Sequence, residues 1–249
     1  YFSLSRAFRE PTRSDYENNL NIQPEELIDY ELGWKYNNNK FYFNSNLYYM
    51  NYKNQLVLTG ALDDVGTPIR EKSGKSYRKG IELESMYKAT NSLDISTNIS
   101  YSQNKNIDYK TNFDGQVMNW GDTDISFSPN IVSSIGIIFS PTQDLNFSLL
   151  NKFVGDQFMS NTESIVSKLD SYSTTDLNFV YNFKKSKYFK EVIFTVMINN
   201  ILNKEYVSNG YYYTYDDTWS NPNVVSTIEG TGYYPQAKRN FLIGFTFKL

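Results

Sequence analysis

The sequence predicts an all-β fold, an antiparallel transmembrane β-barrel segment of about ten strands. Three observations predict it. Apolar and polar residues alternate with period two along most of the 249 residues, which in a strand sends them to opposite faces. The connections between the alternating stretches are by turns long and short. Charge collects on one face of each stretch and is nearly absent from the other.

Composition supports this and closes several alternatives. Aromatics make up 17% of the chain, with 22 Tyr and 17 Phe, a mixture that favours strands over helices. No apolar run approaches the roughly 18 residues that a spanning helix needs. A barrel wall alternates lipid-facing and lumen-facing residues, so its low mean hydropathy of −0.54 is compatible with a membrane. A net charge of −3 offers no basic face, so no nucleic-acid partner is expected. Zero Cys and zero His remove thiol nucleophiles, zinc-thiolate sites and every Ser-His-Asp arrangement. No enzyme activity, metal centre or cofactor is therefore expected. Tyr1 opens directly into a strand with no initiator Met, and the chain reads as the end of a longer protein.

The strands follow in order. Residues 1–8 form the first and 9–23 a polar loop. Ile28, Tyr30, Leu32, Trp34 and Tyr36 then face away from Asp29, Glu31, Gly33 and Lys35. Asn37, Asn38 and Asn39 turn the chain, since Asn tolerates left-handed backbone angles. Phe41, Phe43, Leu47 and Tyr49 carry the third strand, and 53–76 is a long connection. Ile81, Leu83 and Tyr87 oppose Glu82, Glu84 and Lys88; 90–92 turns; Leu93, Ile95, Thr97, Ile99 and Tyr101 return. After a loop at 105–128, residues 131–139 and 145–153 form a pair about the turn at 140–144. A loop at 157–170 leads to Leu177, Phe179, Tyr181 and Phe183; 184–190 turns; Val192, Phe194, Val196 and Ile198 follow. The longest aromatic loop, 207–233, precedes a final strand at 234–249.

Ten strands result, most of them long enough for the 9–11 or so residues that cross a bilayer at a tilt. Membrane barrels place short turns at the periplasmic end and long loops outside, and the alternation here is complete. A Lys or Arg facing lipid at mid-depth costs about 2–4 kcal/mol, so the segregation of Glu31, Lys35, Glu82, Glu84 and Asp176 onto one face is what a bilayer enforces. Leu32, Trp34, Leu83, Ile99, Leu149, Phe179, Val196 and Phe245 are expected outward; Glu31, Glu82, Asn98, Asp176 and Thr246 inward.

Several segments carry a resemblance: Ser5 to Pro11, Pro24-Glu25 with Tyr30 to Gly33, Asn46 to Met50, Gly80-Ile81-Glu82, Asn200 to Tyr206, and the closing stretch with Arg239, Phe241 and Gly244. In their order and spacing they resemble the TonB-dependent receptors. The resemblance implies that residues 1–249 are the C-terminal part of a 22-stranded barrel, with the plug domain and first strands absent. It further implies active uptake across the bacterial outer membrane of a scarce nutrient, a ferric siderophore, another iron complex or cobalamin. The implied partners are the inner-membrane TonB complex, engaging an N-terminal box missing from this chain, the receptor's own plug domain, the lipid bilayer and a small nutrient ligand. A passive porin, a surface-adhesion barrel or a SusC-like glycan importer shares the strand pattern and is the alternative.

Candidate ligand contacts are Tyr211, Tyr212, Tyr213, Tyr215 and Trp219, aromatic rings with polar tips crowded in one loop. The aromatic girdle of a barrel is the competing explanation for them. Glu31, Glu82 and Glu84 are expected to face the lumen. Asp63-Asp64 and Asp216-Asp217 could offer oxygen ligands to calcium, but neither has the spacing of a calcium loop, and solvated charge is the expectation.

Overall fold

The computed structural model describes residues 1–18, 22–62, 65–113, 116–184, 189–221 and 224–248. Its strands are β1 (Phe2–Arg9), β2 (Glu25–Asn37), β3 (Phe41–Lys53), β4 (Leu56–Leu62), β5 (Pro68–Lys72), β6 (Lys75–Lys88), β7 (Leu93–Phe113), β8 (Gln116–Asp124), β9 (Ile131–Thr142) and β10 (Leu145–Val154). They continue as β11 (Gln157–Phe158), β12 (Lys168–Leu169), β13 (Tyr172–Lys184), β14 (Glu191–Asn199), β15 (Val207–Asp217), β16 (Ser226–Pro235) and β17 (Asn240–Lys248). One short helix, α1 (Arg13–Asn18), interrupts the first connection.

Eleven of these make one antiparallel sheet, with β8 paired to the upper half of β7 and the other ten in the order β1-β2-β3-β6-β7-β9-β10-β13-β14-β17. Those ten are the strands that the period-two pattern predicts, joined nearest neighbour to nearest neighbour. Short connections need no more than local chemistry. At 38–40 the Asn38 side-chain carbonyl accepts the Lys40 and Phe41 amides at 2.9 and 2.8 Å, closing the turn with one side chain. At 90–92 the Thr90 hydroxyl accepts the Ser92 amide at 3.2 Å. Antiparallel pairing sends all the long connections to one end of the sheet, the loop end, and the short ones to the other, the turn end. The central residues of the fourth predicted turn, 185–188, lie outside the described residues, as does Leu249.

Directly opposed residues share a face, so the register settles which side chains lie together. One row runs Trp34, Ser45, Leu83, Ile99, Ser133, Phe153 and Ser173 across seven strands. Another runs Phe147, Phe179, Val196 and Ile243. All eight residues expected outward fall on this one face, and Glu31, Glu82, Asn98, Asp176 and Thr246 on the other. The first row begins three residues from the turn end of β2 and arrives one residue from the loop end of β10.

Burial is inverted relative to a water-soluble domain. Trp34 is 61% and Phe245 59% exposed, whereas Ser76 and Asn106 are fully buried. Rings pack along the apolar face from strand to strand: Phe147 to Phe179 at 5.1 Å, Phe179 to Phe194 at 6.0 Å, Phe194 to Phe245 at 4.9 Å. An apolar surface of this extent, on a sheet whose polar groups face the other way, is built for a hydrocarbon solvent.

The long connections depart from expectation. Four of the five predicted as loops contain strands: β4 with β5, the upper half of β7 with β8, β11 with β12, and β15 with β16. Polarity alone does not make these segments irregular, because Tyr, Thr and Val are strand formers whether or not a face is apolar. The final strand starts at Asn240, not at residue 234. Tyr233, Tyr234 and Pro235 complete β16 instead, and the chain turns back through residues 236–239, where the Arg239 amide donates to the Asn203 side chain at 3.1 Å.

Candidate functional site

The hairpins at the loop end fold against one another, and a small core forms beneath them. Met159 is fully buried, Leu169 and Tyr212 are nearly so, and Phe127 and Val207 pack alongside. Asn161 ties three connections together. Its carbonyl oxygen accepts the Ser126 amide at 2.9 Å and the Asn106 side-chain amide at 3.3 Å, and its own amide donates to the Leu58 carbonyl at 2.6 Å. The Lys105 ammonium holds Asp124 at 2.8 Å and Glu163 at 3.0 Å. Glu163 in turn accepts the Asp124 amide at 2.6 Å. Buried polar groups with their partners in place rigidify a surface that would otherwise be mobile.

These contacts enclose a cavity of about 450 Å³. Four connections supply its lining: Thr59 and Glu71 from the β4–β5 hairpin, Tyr109 and Trp120 from β7 and β8, Ser160 to Thr162, and Tyr212 to Thr214 with Glu229 from the last hairpin. Two tyrosine–carboxylate pairs define its chemistry. The Tyr109 hydroxyl donates to Glu71 and the Tyr212 hydroxyl to Glu229. Burial raises the Glu71 carboxyl above its ordinary value, an effect that the Tyr109 bond opposes. Tyr109 and Tyr212 are also raised, first by burial and then by the carboxylate each one faces. Among the described residues, no Lys or Arg lines this cavity. With two carboxyls, hydroxyls and the Trp120 ring, it offers acceptors, aromatic faces and negative charge.

The five expected aromatic contacts divide between two surfaces, because β15 alternates like any strand. Tyr212 turns inward to the core and cavity. Tyr211, Tyr213 and Tyr215 form a stack on the other face, at ring separations of 6.2 and 6.4 Å, and Trp219 extends it at 5.9 Å with its ring only 4° from parallel. Tyr213 also reaches the cavity mouth. The cavity therefore draws on two of the five. Glu71, Tyr109, Trp120, Asn161 and Glu229 were missed; the period-two pattern of 226–234, hidden among turn-forming residues, could have revealed Glu229.

Asp216 accepts the Thr227 hydroxyl at 2.9 Å, and Asp217 accepts the Trp219 and Ser220 amides at 3.1 and 3.0 Å. The Ser220 side chain first, and then these amides, hold the Asp217 carboxyl below its usual range. This pair caps a turn. Asp63 and Asp64 lie outside the described residues, and among the described residues no group of three or more His, Cys, Asp or Glu is placed to hold a metal. Glu31, Glu82 and Glu84 lie on the polar face of the sheet. Glu82 stands opposite Asn46 and Ser100, and Glu84 opposite Asn44 and Asn98.

Long outward-apolar strands, a segregated charge pattern and all long connections at one end define this chain as part of an outer-membrane β-barrel wall. Comparison with known proteins gives the family. The model of the TonB dependent receptor-like β-barrel matches residues 1–201, and the chain belongs to that family. It lies in the outer membrane of Gram-negative bacteria, in a family of receptors and transporters rather than enzymes. Solved structures that it resembles include the copper transporter OprC, at 17% identity over 99% of this chain with a TM-score of 0.68. The ferric citrate transporter FecA matches at 17% identity over 98% of the chain with a TM-score of 0.69. The ferric yersiniabactin uptake receptor FyuA from Yersinia pestis matches at 16% over 98%, with a TM-score of 0.60. The chain spans 36%, 34% and 33% of those three, about a third of their length. No curated protein matches it in sequence.

Proposed function

We propose that the protein carrying this wall is a receptor that imports a scarce nutrient across the outer membrane, driven by the inner-membrane TonB complex. Membership of the receptor family over residues 1–201 is the observation that carries this reading. The wall's own plug domain occupies the lumen, and Glu31, Glu82 and Glu84 line that lumen on the polar face. The nutrient is an iron complex, a class supported by the iron-complex receptors among the similar structures. The loop-end cavity takes part in its capture. Because the lining holds two carboxyls and, among the described residues, no cation, this cavity suits a neutral or positively charged complex better than a polyanion.

Growth under iron limitation tests the reading in a strain whose only supply is one ferric complex at nanomolar level. Uptake is expected to need both the full-length receptor and an intact TonB complex. Uptake that persists without TonB would replace active import with a passive pore.

A further inference from the structure

A basic cluster on the outward face has no internal explanation. Lys53, the last residue of β3, stands directly opposite Lys75, the first of β6. Like charges directly opposed weaken a ladder. Two rungs below, Lys79 lies on the same face, its ammonium bent back over the Tyr77 ring at 5.3 Å, toward the loop end and away from the apolar band. All three side chains are exposed. Among the described residues no carboxylate pairs with any of them. Glu26, opposite Lys53 on its other side, is instead bound by Arg6 at 2.7 Å. The outward residues of β9, β10, β13, β14 and β17 near the loop end include no Lys or Arg, so the positive charge is confined to one sector of the wall.

Two features place this cluster at the headgroup level. Tyr30, Tyr49 and Tyr77 run beside it with ring separations of 6.3 and 6.2 Å, the aromatic belt that marks a membrane interface. Immediately below, an open groove of about 710 Å³ has outward walls of Phe2, Leu32, Leu47, Ile81 and Tyr101, with Lys79 at its upper rim. A basic cluster just above an apolar furrow is the complement of an anionic amphiphile.

We propose that Lys53, Lys75 and Lys79 form a docking site for the phosphate groups of an outer-leaflet lipid, whose acyl chain lies in the groove below. Phosphate oxygens supply the acceptors that these ammoniums lack and relieve the Lys53–Lys75 repulsion. The groove places one chain against the wall, so the lipid is held at both ends. This site depends only on which face is outward and is independent of the nutrient imported.

Full-length receptor, purified from native membranes and washed extensively in detergent, is examined by mass spectrometry of the intact complex. A retained phosphorylated lipid is expected. The triple variant Lys53→Gln, Lys75→Gln, Lys79→Gln is expected to bind it more weakly by roughly a hundredfold, about fivefold per lysine, while the triple Lys→Arg variant keeps it. Rebinding the same lipid after enzymatic removal of its phosphates is expected to fail. Equal retention by the Gln variant, or equal binding of the dephosphorylated lipid, would overturn the proposal. So would release of the lipid by millimolar inorganic phosphate, which would reveal a site for free anions only. Should the Gln variant fail to give the heat-modifiable folded form, the dephosphorylated lipid and the Arg variant decide alone.

Discussion

Tyr48 lies over Gly80, its direct partner across the β3–β6 ladder, and the contact leaves no room for a side chain at that position. A Cβ at residue 80 would sit 2.8 Å from the Tyr48 hydroxyl oxygen and 2.5 Å from the Tyr101 carbonyl oxygen. A ring can swing aside, but the carbonyl belongs to the ladder. Gly80→Ala is therefore expected to destabilise the folded wall by about 1–3 kcal/mol, the usual cost of overpacking. Adding Tyr48→Ala should recover only part of the loss. The urea midpoint of the full-length protein measures both, and complete rescue by the second substitution would place the clash on the ring alone.

The Glu71–Tyr109 pair makes the loop cluster sensitive to pH. Burial raises the Glu71 carboxyl above 4.5, so the folded loops favour its protonated form. The stability from this group is full below 4.5 and is lost as pH rises through the raised folded value. Amide exchange across residues 56–72 and 105–113 should therefore slow on acidification from pH 7 toward 4.5, after correction for the intrinsic rate. Glu71→Gln should give the slow exchange at both pH values. An unchanged pH dependence in that variant would assign the effect to another group.

Asn161 holds the loops by three hydrogen bonds, and replacing it by Leu leaves the Ser126 amide and the Asn106 side chain short of a partner. Unpaired buried polar groups cost about 1–3 kcal/mol each. Limited proteolysis is expected to cut the connections of Asn161→Leu protein several times faster than wild type while the sheet stays intact, because Asn161 contributes nothing to the ten-strand ladder.

The outward assignment predicts an asymmetry between neighbouring residues. Leu83→Arg, facing lipid near mid-depth, should cost about 2–4 kcal/mol, whereas Asn98→Arg on the polar face should be near neutral. The folded fraction in lipid vesicles, read as the heat-modifiable band on a gel, separates them. Equal effects would mean that the two faces do not see different solvents.

β1 and β17 end the sheet without an outer partner among the described residues, and both carry exposed apolar side chains: Phe2 is 69% and Phe241 71% exposed. Each unsatisfied backbone group costs several kcal/mol in hydrocarbon, and in water such an edge recruits other chains. Residues 1–249 expressed alone should give detergent-dependent aggregate. A monodisperse monomer that melts cooperatively in plain buffer would count against the membrane assignment.

The wall was legible in the sequence because a single rule governs it. Most outward residues from Leu32 to Phe247 answer to the bilayer, so period two survives through ten strands, with small or polar exceptions such as Ser45, Ser85, Ser133 and Asn151. The site was not legible to the same degree. Residues such as Tyr109, Asn161 and Glu229 answer to partners some 17 to 103 positions away, as Tyr212 with Glu229 and Asn161 with Leu58 illustrate. No local pattern records such pairings. Turn-forming Asn, Gly and Thr also fill both the hairpins and their tips, which hid β15 and β16 inside one apparent loop.

The row from Trp34 to Ser173 starts near one end of its strand and finishes near the opposite end of another, so hydrogen-bonded neighbours are not at equal depth. Each step around the wall climbs the membrane, as the slant of a screw thread does, and this is the stagger that closing a sheet into a cylinder requires. Trp34 and Phe153 belong to the same row, yet a lipid-depth quencher would find Trp34 nearer the periplasmic surface and a Trp placed at 153 nearer the outside. Any strand that completes the circle must take up the accumulated climb between β1 and β17. The height of one edge against the other thus sets how the remainder of the cylinder has to join.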